Sequence, residues 1–147
     1  MKSPIIVALD MESERALELA KKLNPLECKV KVGSQLFTAD GPIIIEKLNE
    51  LGFDIFLDLK FHDIPNTVKK AVEAVIKMGV WMLNVHSLGG KEMLRAAYEA
   101  VEVLFWSSFS NSLDLIPGVT KRKSSSKCFL NIDNSLGEQT TPFNPSA

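Results

Sequence analysis

The chain has 147 residues, of which 46% are hydrophobic and 24% are charged, and its formal net charge is -1. This is the composition of a globular domain with a core, and the balanced charge gives no sign of a nucleic-acid or membrane-surface partner. No apolar run reaches the roughly 20 residues of a membrane span, and the first run is too short for a signal peptide. We therefore expect a cytoplasmic protein.

Four short apolar runs predict β-strands, over residues 5–10, 28–33, 55–60 and 81–86. Helical spacing of apolar residues fills the segments between them. The predicted helix starts are a serine cap, an acid cap followed by proline, and a proline in the first turn: Ser13, Asp40 with Pro42, and Pro65. Gly52 and Gly79 are predicted to end the second and third helices. A fourth helix follows Gly89 and Gly90, which we interpret as a turn rather than a phosphate site.

Four strand-helix units in succession predict an α/β fold of the (β/α) TIM-barrel type, with a parallel sheet. Polar side chains fall at the carboxyl ends of the strands, where such folds bind ligands: Asp10, Lys31, Asp58, Lys60, Asn84 and His86. This repeated placement favours a functional site over unrelated surface charges.

The most informative stretch covers residues 54–67. In an extended strand, Asp58 and Lys60 share one face, and Asp63 follows closely. Because burying a lone charge costs several kcal/mol, an alternating acid, base and acid must be paired or used. The set fits a proton donor held cationic beside a negative field. The alternative interpretation is a solvated Asp–Lys pair, which is common and nearly neutral in energy.

The pattern D-x-K-x-x-D-I-P-x-T at residues 58–67, with Asp10, Lys31 to Gly33 and Asn84-Val-His86, resembles the orotidine 5'-phosphate decarboxylases. The resemblance covers residues 1 to about 102, the first four units of an eight-unit fold. It implies decarboxylation of orotidine 5'-phosphate to UMP in pyrimidine biosynthesis by a homodimer, without metal or cofactor. Metal-dependent sugar-phosphate decarboxylases and synthases of the same superfamily are the alternative, although they typically lack the Ile-Pro-Asn-Thr continuation.

The resemblance also implies roles for four catalytic residues. Lys60 is similar to the lysine that gives a proton to C6 of the pyrimidine as carbon dioxide leaves. Asp58 is similar to the carboxylate beside the substrate carboxylate, and Lys31 to the lysine that completes the charge network and touches the ribose. Asp63 is similar to the carboxylate contributed across the dimer interface.

Two further residues resemble contacts to the ribose hydroxyls, namely Asp10 and Thr67, and Thr67 would also reach across the interface. His86 is interpreted as a hydrogen-bonded structural residue rather than an acid or base. Cys28 and Cys128 lack the spacing of a metal or redox site and are interpreted as reduced thiols.

The pattern changes near residue 105, so we divide the chain into a barrel-like part, 1–104, and a tail, 105–147. The tail has nine serines against four before it, and we expect it to be irregular, either disordered, out of frame or a genuine variant. Weak strand patterns cover residues 104–109 and 113–117, and residues 121–127 are interpreted as a solvated basic loop.

Four units leave the predicted barrel incomplete. The phosphate site of such barrels usually comes from the loops after strands seven and eight, so the substrate phosphate would lack an evident anchor. The first and fourth strands would have unpaired edges, which a partner chain or the tail would have to cover. A half-barrel without catalytic activity is therefore the second alternative.

Overall fold

The computed structural model describes residues 5–110 and 129–133. Its five strands form one parallel sheet in chain order. The strands are β1 (Ile6–Ala8), β2 (Lys29–Gly33), β3 (Ile55–Phe61), β4 (Met82–His86) and β5 (Phe129–Asp133). The helices are α1 (Ser13–Lys22), α2 (Ser34–Asp40), α3 (Pro42–Glu50), α4 (Pro65–Lys77) and α5 (Gly90–Ser110), and a 3-10 turn (Ser87–Gly89) precedes the last. The predicted succession of strand-helix units is confirmed.

The core joins alternate strand residues to the apolar faces of the helices. Ile55 and Leu57 of β3 are fully buried, whereas Phe56 and Asp58, which alternate with them along the strand, are only half-buried. The helix side of this core is small and aliphatic, and includes Ala16, Ala20, Ile44, Ile45, Leu48, Val68, Val72, Val75, Met93 and Ala97. Each buried Val, Leu or Ile stabilises the fold by roughly 1.5–3 kcal/mol relative to exposure. The half-buried face of β3 is left for polar side chains.

Two predicted helix caps are wrong. Ser13 is the first residue of α1 rather than its cap, and its Oγ donates to Asp40 Oδ2. Asp40 ends α2, a helix that the sequence patterns did not predict, and Gly41 stands at the start of α3 with a φ of 63°. A contact between residues 27 positions apart has therefore taken the two side chains that local rules assign to capping. Pro42 does open α3.

Two parts of the tail, the end of α5 and β5, lie among the described residues. Residues 104–109 belong to α5, so the strand prediction there is wrong; α5 packs against α4 and runs on to Ser110. β5 pairs with β4 from Met82 opposite Phe129 to His86 opposite Asp133, so the fourth strand does not have the unpaired edge that we expected. Residues 113–117 and 121–127 lie outside the described residues. Within residues 5–110 and 129–133, no helix is long and apolar enough to cross a membrane.

The stop signals of two helices are confirmed and can be tested at Gly52. This glycine lies two residues after the last residue of α3 and has a φ of 92°, and its N–H donates to the Asn49 carbonyl at 2.9 Å. A side chain at this φ is strained, so we expect Gly52→Ala to lower the free energy of unfolding by about 1 kcal/mol. Urea denaturation measures the change, with Glu50→Ala on the exposed end of α3 as control. An unchanged midpoint for Gly52→Ala would contradict the prediction.

Candidate active site

Four charged side chains meet at the carboxyl ends of the first three strands. Asp10 follows β1, Lys31 lies in β2, and Asp58 and Lys60 lie in β3. The parallel register sets Ala8 beside Lys31 and Gly33 beside Asp58, so these ends come to one edge of the sheet. We call Asp10, Lys31, Asp58 and Lys60 the charge network.

Asp58 is the centre of the charge network. Its Oδ1 accepts from Lys60 Nζ at 2.5 Å and from Asn84 Nδ2 at 2.7 Å, and its Oδ2 lies 3.3 Å from Lys31 Nζ. Burial by itself would raise the pKa of Asp58, but the hydrogen bonds from Lys60, Asn84 and Lys31 outweigh it and hold the pKa below its ordinary value. The side chain is only 13% exposed. Asp58 is thus an anion held by two cations and an amide.

Lys60 carries the ammonium that is most open to a ligand. Its side chain is 44% exposed, against 24% for Lys31. Its backbone has a φ of 51°, a left-handed conformation that is rare for a residue with a side chain. Such conformations cost of order 1–3 kcal/mol and cluster at functional sites, where the surrounding structure maintains them.

Lys31 and Asp10 extend the charge network toward β1. Lys31 Nζ lies 3.4 Å from Asp10 Oδ2, so this lysine stands between two carboxylates. The Asp10 side chain is 57% exposed, more than the other side chains of the charge network. Gly33 allows its close approach, because a Cβ at position 33 would lie 3.1 Å from Asp10 Oδ1. Glycine at position 33 therefore leaves room for the Asp10 carboxylate beside Lys31.

Asp63 and Thr67 follow the charge network along the chain. Both are exposed, on the segment that joins β3 to α4 and on the first turn of α4. Asp63 Oδ1 accepts the N–H of Ile64 at 2.7 Å, so this carboxylate makes a hydrogen bond within the loop between β3 and α4. The action of Asp63 and Thr67 across an interface stays a prediction.

His86 makes a local hydrogen bond, as we expected. Its Nδ1 accepts the N–H of Leu88 at 3.2 Å, and its ring stacks on His62 with centroids 4.8 Å apart. A backbone N–H can only donate, so Nδ1 is the acceptor of this bond and carries no proton in it. His86 therefore orders the turn after β4.

Asn84 joins the site although we assigned it no role from the sequence. It is 3% exposed and bonds both to Asp58 and to the backbone N–H of Lys60. The sequence did hold a signal, since Asn84 is a polar residue with an apolar neighbour on each side in β4. Its partners could not be predicted, because they depend on an irregular register between β3 and β4.

The arrangement can stabilise and then protonate a carbanion. A half-exposed ammonium beside a half-buried carboxylate is fixed in position, carries positive charge, and has protons to donate. Among residues 5–110 and 129–133, no group of three or more His, Cys, Asp or Glu side chains could hold a metal ion. The chemistry that these side chains supply is electrostatic and proton-transferring.

Comparisons with known proteins agree with the geometry. Residues 3–106 match the model of the orotidine 5'-phosphate decarboxylase / HUMPS family. An orotidine 5'-phosphate decarboxylase of Marinomonas sp. is 55% identical over 103 residues, which are 69% of this chain and 44% of that protein. One from Pseudoalteromonas translucida is 46% identical over 139 residues, 94% of this chain and 56% of the relative.

A solved structure has the same fold. The crystal structure of orotidine 5'-phosphate decarboxylase from Lactobacillus acidophilus matches with a TM-score of 0.63 and 43% identity. The match covers 68% of this chain and 46% of that one. The chain thus spans about half the length of the relatives that it matches.

Proposed function

The chain belongs to the orotidine 5'-phosphate decarboxylase / HUMPS family, and on that premise we propose that it decarboxylates orotidine 5'-phosphate to UMP. The observation that carries the proposal is the charge network, in which Lys60 Nζ stands 2.5 Å from Asp58 Oδ1. The reaction belongs to pyrimidine biosynthesis, and we propose a cytoplasmic enzyme that acts as a homodimer.

Lys60 is the proposed proton donor. Loss of carbon dioxide from C6 leaves an electron pair on that carbon, and an ammonium held there stabilises the developing charge before giving up a proton. Lysine suits both tasks because it is a compact cation with donatable protons. Its exposure of 44%, against 13% for Asp58, leaves the ammonium accessible to a substrate.

Asp58 and Lys31 have supporting roles in this proposal. Asp58 positions the Lys60 ammonium and faces the carboxylate that will leave, while Lys31 neutralises the second oxygen of Asp58 and reaches toward the ribose. Asp10, more than half exposed, is the proposed acceptor for a ribose hydroxyl. A substrate that closes the site excludes water, which strengthens each of these interactions.

The homodimer proposal rests on the surface after β3. Asp63 and Thr67 are exposed there, and Ile64 between them is 67% exposed, so this surface offers an apolar side chain between two polar ones. A second copy of the chain would cover Ile64 and bring Asp63 to its partner's Lys60, with Thr67 at the ribose. The pair would then share two composite sites.

The proposal is tested by giving the purified chain orotidine 5'-phosphate and following UMP formation, in buffer with and without a chelator. We expect turnover that the chelator leaves unchanged. Turnover of a sugar phosphate that the chelator abolishes would instead favour the metal-dependent members of the superfamily. Binding of a 6-substituted UMP analogue without any turnover would favour a half-barrel that is not an enzyme.

Composite sites predict recovery of activity from two inactive variants. In a mixed dimer of Lys60→Ala and Asp63→Ala, one site keeps both native residues, so random mixing should restore about a quarter of the native activity. The measurement is UMP formation after the two variants are unfolded together and refolded. Mixing Lys60→Ala with Asp58→Ala is the control, because both residues lie in one chain's network and no site is rescued. No recovery in the first mixture would contradict the shared site.

A further inference from the structure

Among residues 5–102, Asn84 is the single buried polar or charged side chain. A buried amide needs partners at both ends, because an unmade hydrogen bond there is strongly unfavourable. Both ends are used. Nδ2 donates to Asp58 Oδ1 at 2.7 Å, and Oδ1 accepts the backbone N–H of Lys60 at 2.8 Å.

The second bond fills a break in the ladder between β3 and β4. Leu57 pairs with Leu83, but the next pair joins Phe61 to Val85. Three residues of β3, numbers 58–60, therefore lie opposite Asn84 alone. Bulges of this kind leave backbone groups unpaired and re-aim side chains. Here the amide of Asn84 replaces a backbone carbonyl as the acceptor for Lys60.

The same bond holds an unfavourable backbone conformation. Lys60, with a φ of 51°, is the one residue other than glycine that has a positive φ among the described residues. The Cβ of an L-residue crowds the backbone in this region, so the conformation persists only when neighbours maintain it. The Asn84 amide bonds to the N–H of this residue, and the ammonium of the same residue reaches Asp58 at 2.5 Å.

The orientation of the amide follows from its partners. A backbone N–H can only donate, so the Asn84 atom that faces it must be the oxygen, and the NH₂ group must face the Asp58 carboxylate. The planar amide of Asn84 thus contacts both members of the Asp58–Lys60 pair at once.

We propose that Asn84 is a positioning residue for the proton donor, which fixes the Asp58 carboxylate and the backbone turn at Lys60 as one unit. The proposal rests on the proposed function, in which Lys60 gives the proton, and it assigns Asn84 an action through these two residues only. Its hydrogen bond to Asp58 is also among the causes that lower the pKa of that carboxyl.

The test compares Asn84→Ala with Asn49→Ala. Asn49 is a matched control, because its Nδ2 donates to the Met78 carbonyl at 2.9 Å, far from the charge network. In Asn84→Ala we expect amide exchange at Lys60 to rise at least about tenfold, and the NMR titration midpoint of the Asp58 carboxyl to rise because one of its hydrogen bonds is lost. Asn49→Ala should leave both unchanged.

The kinetic readout separates positioning from binding. Misplacing a catalytic group by about 1 Å costs roughly 100-fold in rate, so kcat of Asn84→Ala should fall by about 10- to 100-fold with a smaller change in KM. The exchange and titration measurements need no turnover. They decide the inference even if the chain fails to decarboxylate orotidine 5'-phosphate.

A second variant separates the two bonds. Asn84→Asp keeps an acceptor for the Lys60 N–H and loses the donor to Asp58, so the Lys60 amide should stay protected while the Asp58 titration moves up. The inference is overturned if both variants leave the Asp58 titration and the Lys60 amide as in the native chain. It is also overturned if the native Lys60 amide exchanges as fast as that of Asp63 on the exposed loop, a measurement that requires no variant to fold.

Discussion

Lys60→Ala is expected to remove UMP formation while leaving the fold intact. The lost ammonium supplies both the proton and the electrostatic stabilisation of the carbanion at C6, so kcat should fall by at least about 10⁴-fold. The fold should survive because the Lys60 side chain is 44% exposed and packs little of the core. Initial rates of UMP formation measure the first effect and circular dichroism the second.

Two further variants make the Lys60 result specific. Lys47→Ala removes an exposed lysine from the last turn of α3 and should retain full activity. Lys60→Arg keeps the charge but replaces a compact donor with a planar group that does not give up its proton, so it should not restore turnover. If Lys60→Ala keeps more than about a hundredth of the native kcat, Lys60 is not the proton donor.

The difference between prediction and structure at this site lies in one irregular strand pair. Sequence spacing was enough to bring Asp58 and Lys60 to one face and to one end of the sheet, because regular strands alternate and parallel strands end together. It also gave Lys31 and Asp10 their positions at the same edge. The left-handed backbone at Lys60 and its bond to Asn84 have no local pattern, since both depend on the register of β4.

The same distinction explains the errors in the fold. Gly52 and Gly79 were predicted correctly because a positive φ after a helix is a local requirement of the backbone. Ser13 and Asp40 were predicted wrongly because each is the other's partner across 27 positions, and no short-range rule contains that distance. β5 was missed for a related reason, since a parallel strand is stabilised by a distant neighbour.

Asp58→Asn is expected to have the second-largest effect on catalysis. The substitution keeps the shape of the side chain and removes the charge that lies 2.5 Å from Lys60 Nζ and 3.3 Å from Lys31 Nζ. Its new NH₂ group would meet one of the ammonium groups as a second donor, so the pair cannot keep its geometry. We expect kcat/KM to fall by roughly 10²- to 10³-fold, measured as for Lys60→Ala.

The same variant should change how stability depends on pH. The folded pKa of Asp58 lies below the ordinary value, so the unfolded chain binds a proton to this group at a higher pH than the folded chain does. The stabilisation by Asp58 is therefore complete above the ordinary aspartate pKa of about 3.9 and is lost as the pH falls through the folded value. The gap in unfolding free energy between native chain and Asp58→Asn should shrink from about pH 7 to about pH 3.

Urea denaturation at a series of pH values measures this gap, and comparison with Lys47→Ala removes the general effect of acid on the chain. Lys47 lies outside the charge network, so the gap for Lys47→Ala should not follow the titration of Asp58. A constant gap for Asp58→Asn would mean that the two lysines and Asn84 do not hold the carboxylate in solution. The Asp58 carboxylate would then not position the Lys60 ammonium, and the proposed proton transfer from Lys60 would no longer be supported.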